Sequence, residues 1–145
     1  MRKQRRKDHE KAVVVCWVAA LTNEVVRIFV RRSIPLANNC AYDIDPAGTA
    51  NNILPDYPHL GISNNHLYLT TNNIGPTGWA GSQVRRFNID QMADCATTTV
   101  NTFTRTGAPG QRVFVPVEGA REIMYWGMLE SRTTFRSLRA VREVL

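Results

Sequence analysis

The chain has 145 residues, 43% of them hydrophobic and 8% aromatic, which is too apolar for a disordered polypeptide and enough for one domain with a buried core. Its net charge of +6 suggests nucleic acid as a partner, but the distribution excludes it: residues 1–32 carry nine Lys/Arg against three acids, residues 33–130 five against eight, and residues 131–145 four against one. The body is mildly acidic and the basicity sits at the two ends, whereas a nucleic-acid interface needs a basic stripe on the folded surface.

The first segment, Met1 to Lys11 (MRKQRRKDHEK), is a dense basic run followed by ten apolar residues, Ala12–Leu21. A positive run, a short apolar stretch and the small residues Val18-Ala19-Ala20 have the pattern of a secretory signal peptide. Stretching the apolar run to Val30 would cross Asn23, Glu24 and Arg27, which disfavours a spanning helix. The alternatives are an amphipathic helix of a soluble protein and a stretch outside the native coding sequence. Residues 1–32 are therefore set apart as an N-terminal segment, with residues 33–145 as the folded body. The expected location is extracellular or periplasmic, with any membrane contact made only through the N-terminal segment.

Three cysteines are present, Cys16, Cys40 and Cys95. Cleavage after the apolar stretch would remove Cys16 and leave an even pair, as suits an oxidising compartment. Cys40 and Cys95 lie in turn-rich surroundings and are a candidate disulfide; two free thiols are the alternative. No CxxC is present, and His59 and His66 have no nearby cysteine, so no metal site is expected.

From Ser33 onward, short alternating runs separate turn signals. Ala37–Pro58, rich in Asn, Asp, Pro and Gly, reads as loop. Leu60–Ser63 is a short strand, Asn64-Asn65 a two-residue turn, and His66–Thr71 a strong strand. Asn72–Ser82 reads as a long glycine-rich loop and Gln83–Ile89 as a strand, after which Asp90 is placed as the cap of one helical turn through Ala96. A second set follows: an outer strand over Thr97–Thr106, a turn, Arg112–Val117 with Pro116 confining it to an edge or an end, the apolar Glu122–Leu129, and Thr133–Val141 to pair with it. Laying Leu67-Tyr68-Leu69 on Ile123-Met124-Tyr125 aligns the two sets at an offset of 56 residues. Self-similarity at that period, with several strands per unit, is the pattern of β-propeller blades. The expected fold is all-β: two four-stranded antiparallel blade-like sheets of a propeller fragment.

The string from Asp56 to Asn72 (DYPHLGISNNHLYLTTN) resembles a recurring phrase of uncharacterised secreted bacterial sialidase-like or WD40-like β-propeller proteins. Pro116–Trp126 is similar to a blade ending of the same proteins, and the strand expected after it begins at Thr133-Thr-Phe-Arg136 and then departs. The resemblance covers roughly residues 35–136. It implies about two blades of a larger propeller, whose partners would be the remaining blades or another β module and a carbohydrate or protein ligand.

Candidate chemistry is thin. Sialidases use an arginine cluster, a Tyr/Glu pair and an acid; the nearest residues are Arg85, Arg86, Tyr125 and Glu118, and they match no motif. Asp43 and Asp45, followed by Gly48 and Asn51-Asn52, form a loose oxygen-rich run that lacks the calcium-loop spacing. Asp56 reads as a structural turn residue and His66 as a half-exposed pairing residue. Trp79, in the Gly-rich stretch, is the candidate for ligand stacking, and Tyr125-Trp126 are expected to pack between blades. Catalytic residues are not assigned, no cofactor is expected, and the reading leans away from an enzyme. The expected role is a binding or structural module of an exported propeller. The alternatives are a piece of a sialidase-like glycoside hydrolase with its catalytic residues elsewhere, and a truncated, non-functional reading frame.

Overall fold

A computed structural model describes residues 12–17, 26–32, 39–45, 52–105, 112–129 and 135–139. The described chain is all-β and antiparallel, with a single short helix. The strands are β1 (Ala12–Trp17), β2 (Val26–Arg32), β3 (Asn39–Ile44), β4 (Leu54–Ile62), β5 (His66–Gly75), β6 (Gly78–Asn88), β7 (Val100–Arg105), β8 (Arg112–Pro116), β9 (Tyr125–Leu129) and β10 (Phe135–Arg139); α1 (Ile89–Ala93) lies between β6 and β7. They form three up-and-down meanders in chain order: an N-terminal sheet β1-β2-β3, a central sheet β4-β5-β6-β7 and a C-terminal sheet β8-β9-β10.

This differs from the expected two sheets of four strands. Thr97–Thr106, assigned to the second set, instead supplies β7, the fourth strand of the central sheet, paired to β6 from Ser82↔Arg105 to Phe87↔Val100. The expected boundary after residue 32 falls inside the N-terminal sheet, because β2 and β3 pair across it from Val26↔Ile44 to Arg31↔Asn39. Part of the signal-like apolar run forms β1; residues 1–11 and 18–25, which carry its basic and small-residue features, lie outside the described residues.

The reason β2 is a strand is a period of two. Val26, Ile28 and Val30 are buried while Arg27 is exposed. The same alternation runs through β3, where Cys40, Tyr42 and Ile44 turn inward and Ala41 and Asp43 outward, although Asn and Asp give this stretch the composition of a loop. On the outer face Arg27 and Asp43 stand directly opposite each other and form a two-pronged ion pair, with Arg27 Nη2 donating to Asp43 Oδ2 at 2.8 Å. This hydrogen bond holds the Asp43 carboxyl below its ordinary range.

The central sheet is covered on both faces. Leu67, Leu69 and Phe87 pack with Val26, Ile28 and Val30 of the N-terminal sheet and with Met92 of α1. On the opposite face Tyr68 and Val84 pack with Phe114 and Met128 of the C-terminal sheet and with Met124 just before β9. Double coverage explains why Leu67 through Asn73 of β5 are buried without alternation. Each of the large apolar side chains withdrawn from water contributes about 1.5–3 kcal/mol.

The approach between sheets is close where β4 meets β8. A Cβ built at Gly61 would lie 2.5 Å from Pro116 Cβ and 3.1 Å from Met124 Cε, so only glycine fits there without a shift. β4 is also bulged between Asp56 and His59, where Tyr57 takes a positive φ of 47°.

Asn72–Ser82, expected as a loop, is mostly strand. β5 and β6 run on to a turn at Pro76-Thr77 and pair from Gly75↔Gly78 downward, with one irregularity between Asn73 and Ile74. Gly78 (φ 109°) and Gly81 (φ 136°) occupy backbone regions that side chains avoid, which is why a glycine-rich sequence can still belong to this hairpin. The helical turn expected through Ala96 is present as α1, but its cap is Asn88 rather than Asp90: Gln91 N donates to Asn88 Oδ1 at 3.0 Å.

Candidate functional site

The most connected polar cluster joins β3 to the turn after α1. Cys40 and Cys95 form a disulfide with a Cα–Cα distance of 5.4 Å. Two residues along the same inward face of β3, Tyr42 Oη lies 3.0 Å from Met92 O and 3.1 Å from Ala96 O and donates to these carbonyls. Partial burial, aided by the negative charge of Asp94, pushes the Tyr42 hydroxyl above its ordinary value and keeps it a donor. Cys95 takes a positive φ of 56° in the turn that follows α1. The cluster is a covalent and hydrogen-bonded staple between the N-terminal and central sheets, with none of the acid, base or nucleophile arrangement that chemistry requires. Tyr42 falls in a stretch with the composition of a loop; its spacing of two from Cys40 places both on one face of a strand, while its carbonyl partners come from elsewhere in the chain.

The residues nearest a sialidase set do not converge. Arg85 stands opposite Leu69 in register, on the face toward the N-terminal sheet, whereas Arg86 stands opposite Tyr68 and faces the C-terminal sheet. Burial lowers the Arg85 guanidinium from its ordinary value, an effect that nearby Asp45 opposes. Glu118 is exposed in the turn after β8, and Tyr125 lies on the outer face of the C-terminal sheet.

Asp43 of the oxygen-rich run is engaged by Arg27, and residues 46–51, including Gly48 and Asn51, lie outside the described residues. Among the described residues no group of three or more His, Cys, Asp or Glu could hold a metal ion. No helix among them is long and apolar enough to cross a membrane.

Trp79 sits opposite Ile74 at the tip of the β5–β6 hairpin; it is half-buried and its Nε1 is enclosed without a hydrogen-bond partner. The indole therefore leans on the sheet. The Tyr125-Trp126 pair is split by the pleat: Trp126 meets Tyr68 edge-on across the sheet interface at 5.6 Å, while Tyr125 points outward. His66 opens β5 opposite Asn88, half-buried, and Asp56 pairs with Asn72 beside the bulge of β4. Comparison of the chain with protein-family models, with curated proteins and with solved structures gave no match in any of the three.

Proposed function

We propose that this chain is a binding or structural module of an exported β-propeller. The observation that carries the reading is the central sheet: a four-stranded antiparallel meander covered on one face by the meander before it in the chain and on the other by the meander after it. Consecutive antiparallel meanders stacked face to face are how propeller blades bury their sides. The Cys40–Cys95 bond supports an oxidising compartment. The scatter of Arg85, Arg86, Glu118 and Tyr125 over different faces favours a binding or scaffolding role over glycoside hydrolysis. Within that role Trp79, half-buried against the sheet at a hairpin tip, offers only its uncovered part to a carbohydrate or protein ligand.

The test is a glycan array read beside hydrolysis of a fluorogenic sialoside, each with the native chain and Trp79→Ala. Glycan retention that disappears in Trp79→Ala, without turnover, supports a binding module. Turnover of the sialoside by the native chain would overturn it in favour of the hydrolase reading.

A further inference from the structure

The two layers that cover the central sheet are held to it in different ways. On the N-terminal side the Cys40–Cys95 disulfide and the hydrogen bonds of the Tyr42 hydroxyl to Met92 O and Ala96 O join β3 to α1 and the turn after it. On the C-terminal side a disulfide is impossible, because residues 112–139 hold no cysteine. Buried polar atoms are divided unequally as well. Thr70 is fully buried, its hydroxyl has no hydrogen-bond partner, and it stands opposite Val84 on the face toward the C-terminal sheet. Arg86, opposite Tyr68 on the same face, has a buried Nε without a partner. The Nε1 of Trp126, whose ring meets Tyr68 from the other side of the interface, is enclosed without a partner too. On the N-terminal side the comparable atom among the described residues is Gln83 Oε1, opposite Thr71. Water satisfies such atoms once a layer leaves, so each of them favours the open state.

We propose that the C-terminal sheet is a releasable cover: it leaves the central sheet as a unit, while the N-terminal and central sheets stay together as one stapled body. Phe114, Met124 and Met128 hold the closed state through apolar contact, and the unpartnered polar atoms narrow the gap to the open one. Release bares Tyr68, Thr70, Val84 and Arg86, a face that combines apolar area with hydrogen-bonding groups. The segments that move in a fold are drawn from its least stable units. The C-terminal sheet runs from Arg112 to Arg139, shorter than the roughly 40 residues below which a chain rarely folds alone, so its amides lose protection on release.

The test is native-state hydrogen exchange of the full chain with its disulfide formed, read amide by amide, for the native protein, Thr70→Val and Thr70→Ser. In the native protein the amides of β8 and β9 are expected to exchange about tenfold or more faster than the inner amides of β5 and β6. Thr70→Val puts a methyl group in place of the unpartnered hydroxyl and is expected to slow β8 and β9 about fivefold, the factor that about 1 kcal/mol supplies. Thr70→Ser keeps the hydroxyl and is expected not to slow them. If Thr70→Val does not fold, Arg86→Met replaces it, because it removes the buried Nε and keeps an unbranched stem. Amides of β8 and β9 that exchange at the rate of β5 and β6 overturn the proposal, since the sheets would then open together. Fast β8 and β9 amides that Thr70→Val fails to slow overturn it as well, because the C-terminal sheet would then be unravelling in place without uncovering Thr70.

Discussion

Gly61→Ala adds a single methyl group at the tightest approach between sheets. The new Cβ would meet Pro116 Cβ at 2.5 Å, Pro116 Cγ at 3.0 Å and Met124 Cε at 3.1 Å. The methionine methyl can swing away, but the proline ring is fixed to the backbone of β8, so β4 and β8 must part by several tenths of an ångström. Forcing a methylene into a packed core costs about 1–3 kcal/mol. Against this stands the lower chain entropy of alanine in the unfolded state, worth about 0.4–1 kcal/mol at a compatible backbone position. The net expectation is a loss of about 1–2 kcal/mol, or about 3–6 °C in melting temperature for a chain of 145 residues. The control is Gly75→Ala, where the nearest atom to an added Cβ, Ile53 Cδ1, is 3.5 Å away and the same entropy gain meets no clash. Thermal and urea melts of both variants beside the native chain decide the matter. A Gly61→Ala protein as stable as Gly75→Ala would refute the close approach of β4 and β8, and with it the seating of the C-terminal sheet on the central one.

Replacing Cys40 and Cys95 together by serine releases a loop of 55 residues, for which loop-closure entropy gives a loss of about 4 kcal/mol in urea melts; no change would mean the bond does not form in solution. Phe87→Ala, at a fully buried site shared by β5, β2 and α1, is expected to lose about 3–5 kcal/mol by the same measurement, and a loss below about 1 kcal/mol would place Phe87 outside the core. The Asp43 carboxyl has a lowered value in the folded state, so the stability it brings is present above its unfolded value and is lost as pH falls through the folded one. Asp43→Asn should therefore flatten the acid limb of a stability-versus-pH profile and make it less sensitive to salt, and an unchanged limb would show that the Arg27 pair is not formed.

The strands that read clearly from sequence, His66–Thr71 and Gln83–Ile89, are rich in aromatic and β-branched residues, and they became the inner parts of β5 and β6. What escaped was strand disguised by composition. Cys40-Ala-Tyr-Asp-Ile44 carries the period-two pattern of β3, but its Asn and Asp neighbours gave the stretch the look of a loop. Val26-Arg-Ile-Phe-Val30 carries the same pattern, but the basic and apolar run ahead of it has the look of an export signal and masks it. The assignment of Thr97–Thr106 to the wrong sheet has another cause: a threonine-rich edge strand is nearly featureless, and only pairing partners tell which sheet it joins. Of the candidate site, Cys40 and Cys95 stood out as an even pair, whereas the Tyr42 hydroxyl and its carbonyl partners depend on a meeting of β3 with α1 that no local pattern encodes.

The polar side chains buried in β5 and β6 solve a problem that apolar residues leave open. Sliding β6 along β5 by two residues would return every side chain to its own face, so hydrophobic patterning alone cannot forbid it. Ser82 Oγ donates to Asn72 Oδ1 at 2.8 Å across the two strands, and both side chains are buried. A slip of two would set Asn72 against Ala80 or Val84, neither of which has a side chain that can donate, and would lose this buried hydrogen bond, at a cost of about 0.5–1.5 kcal/mol. This one hydrogen bond acts as a detent: it adds little to the depth of the native well but raises the nearest wrong alignment, so that the strand covered on both faces has one position in which to come to rest.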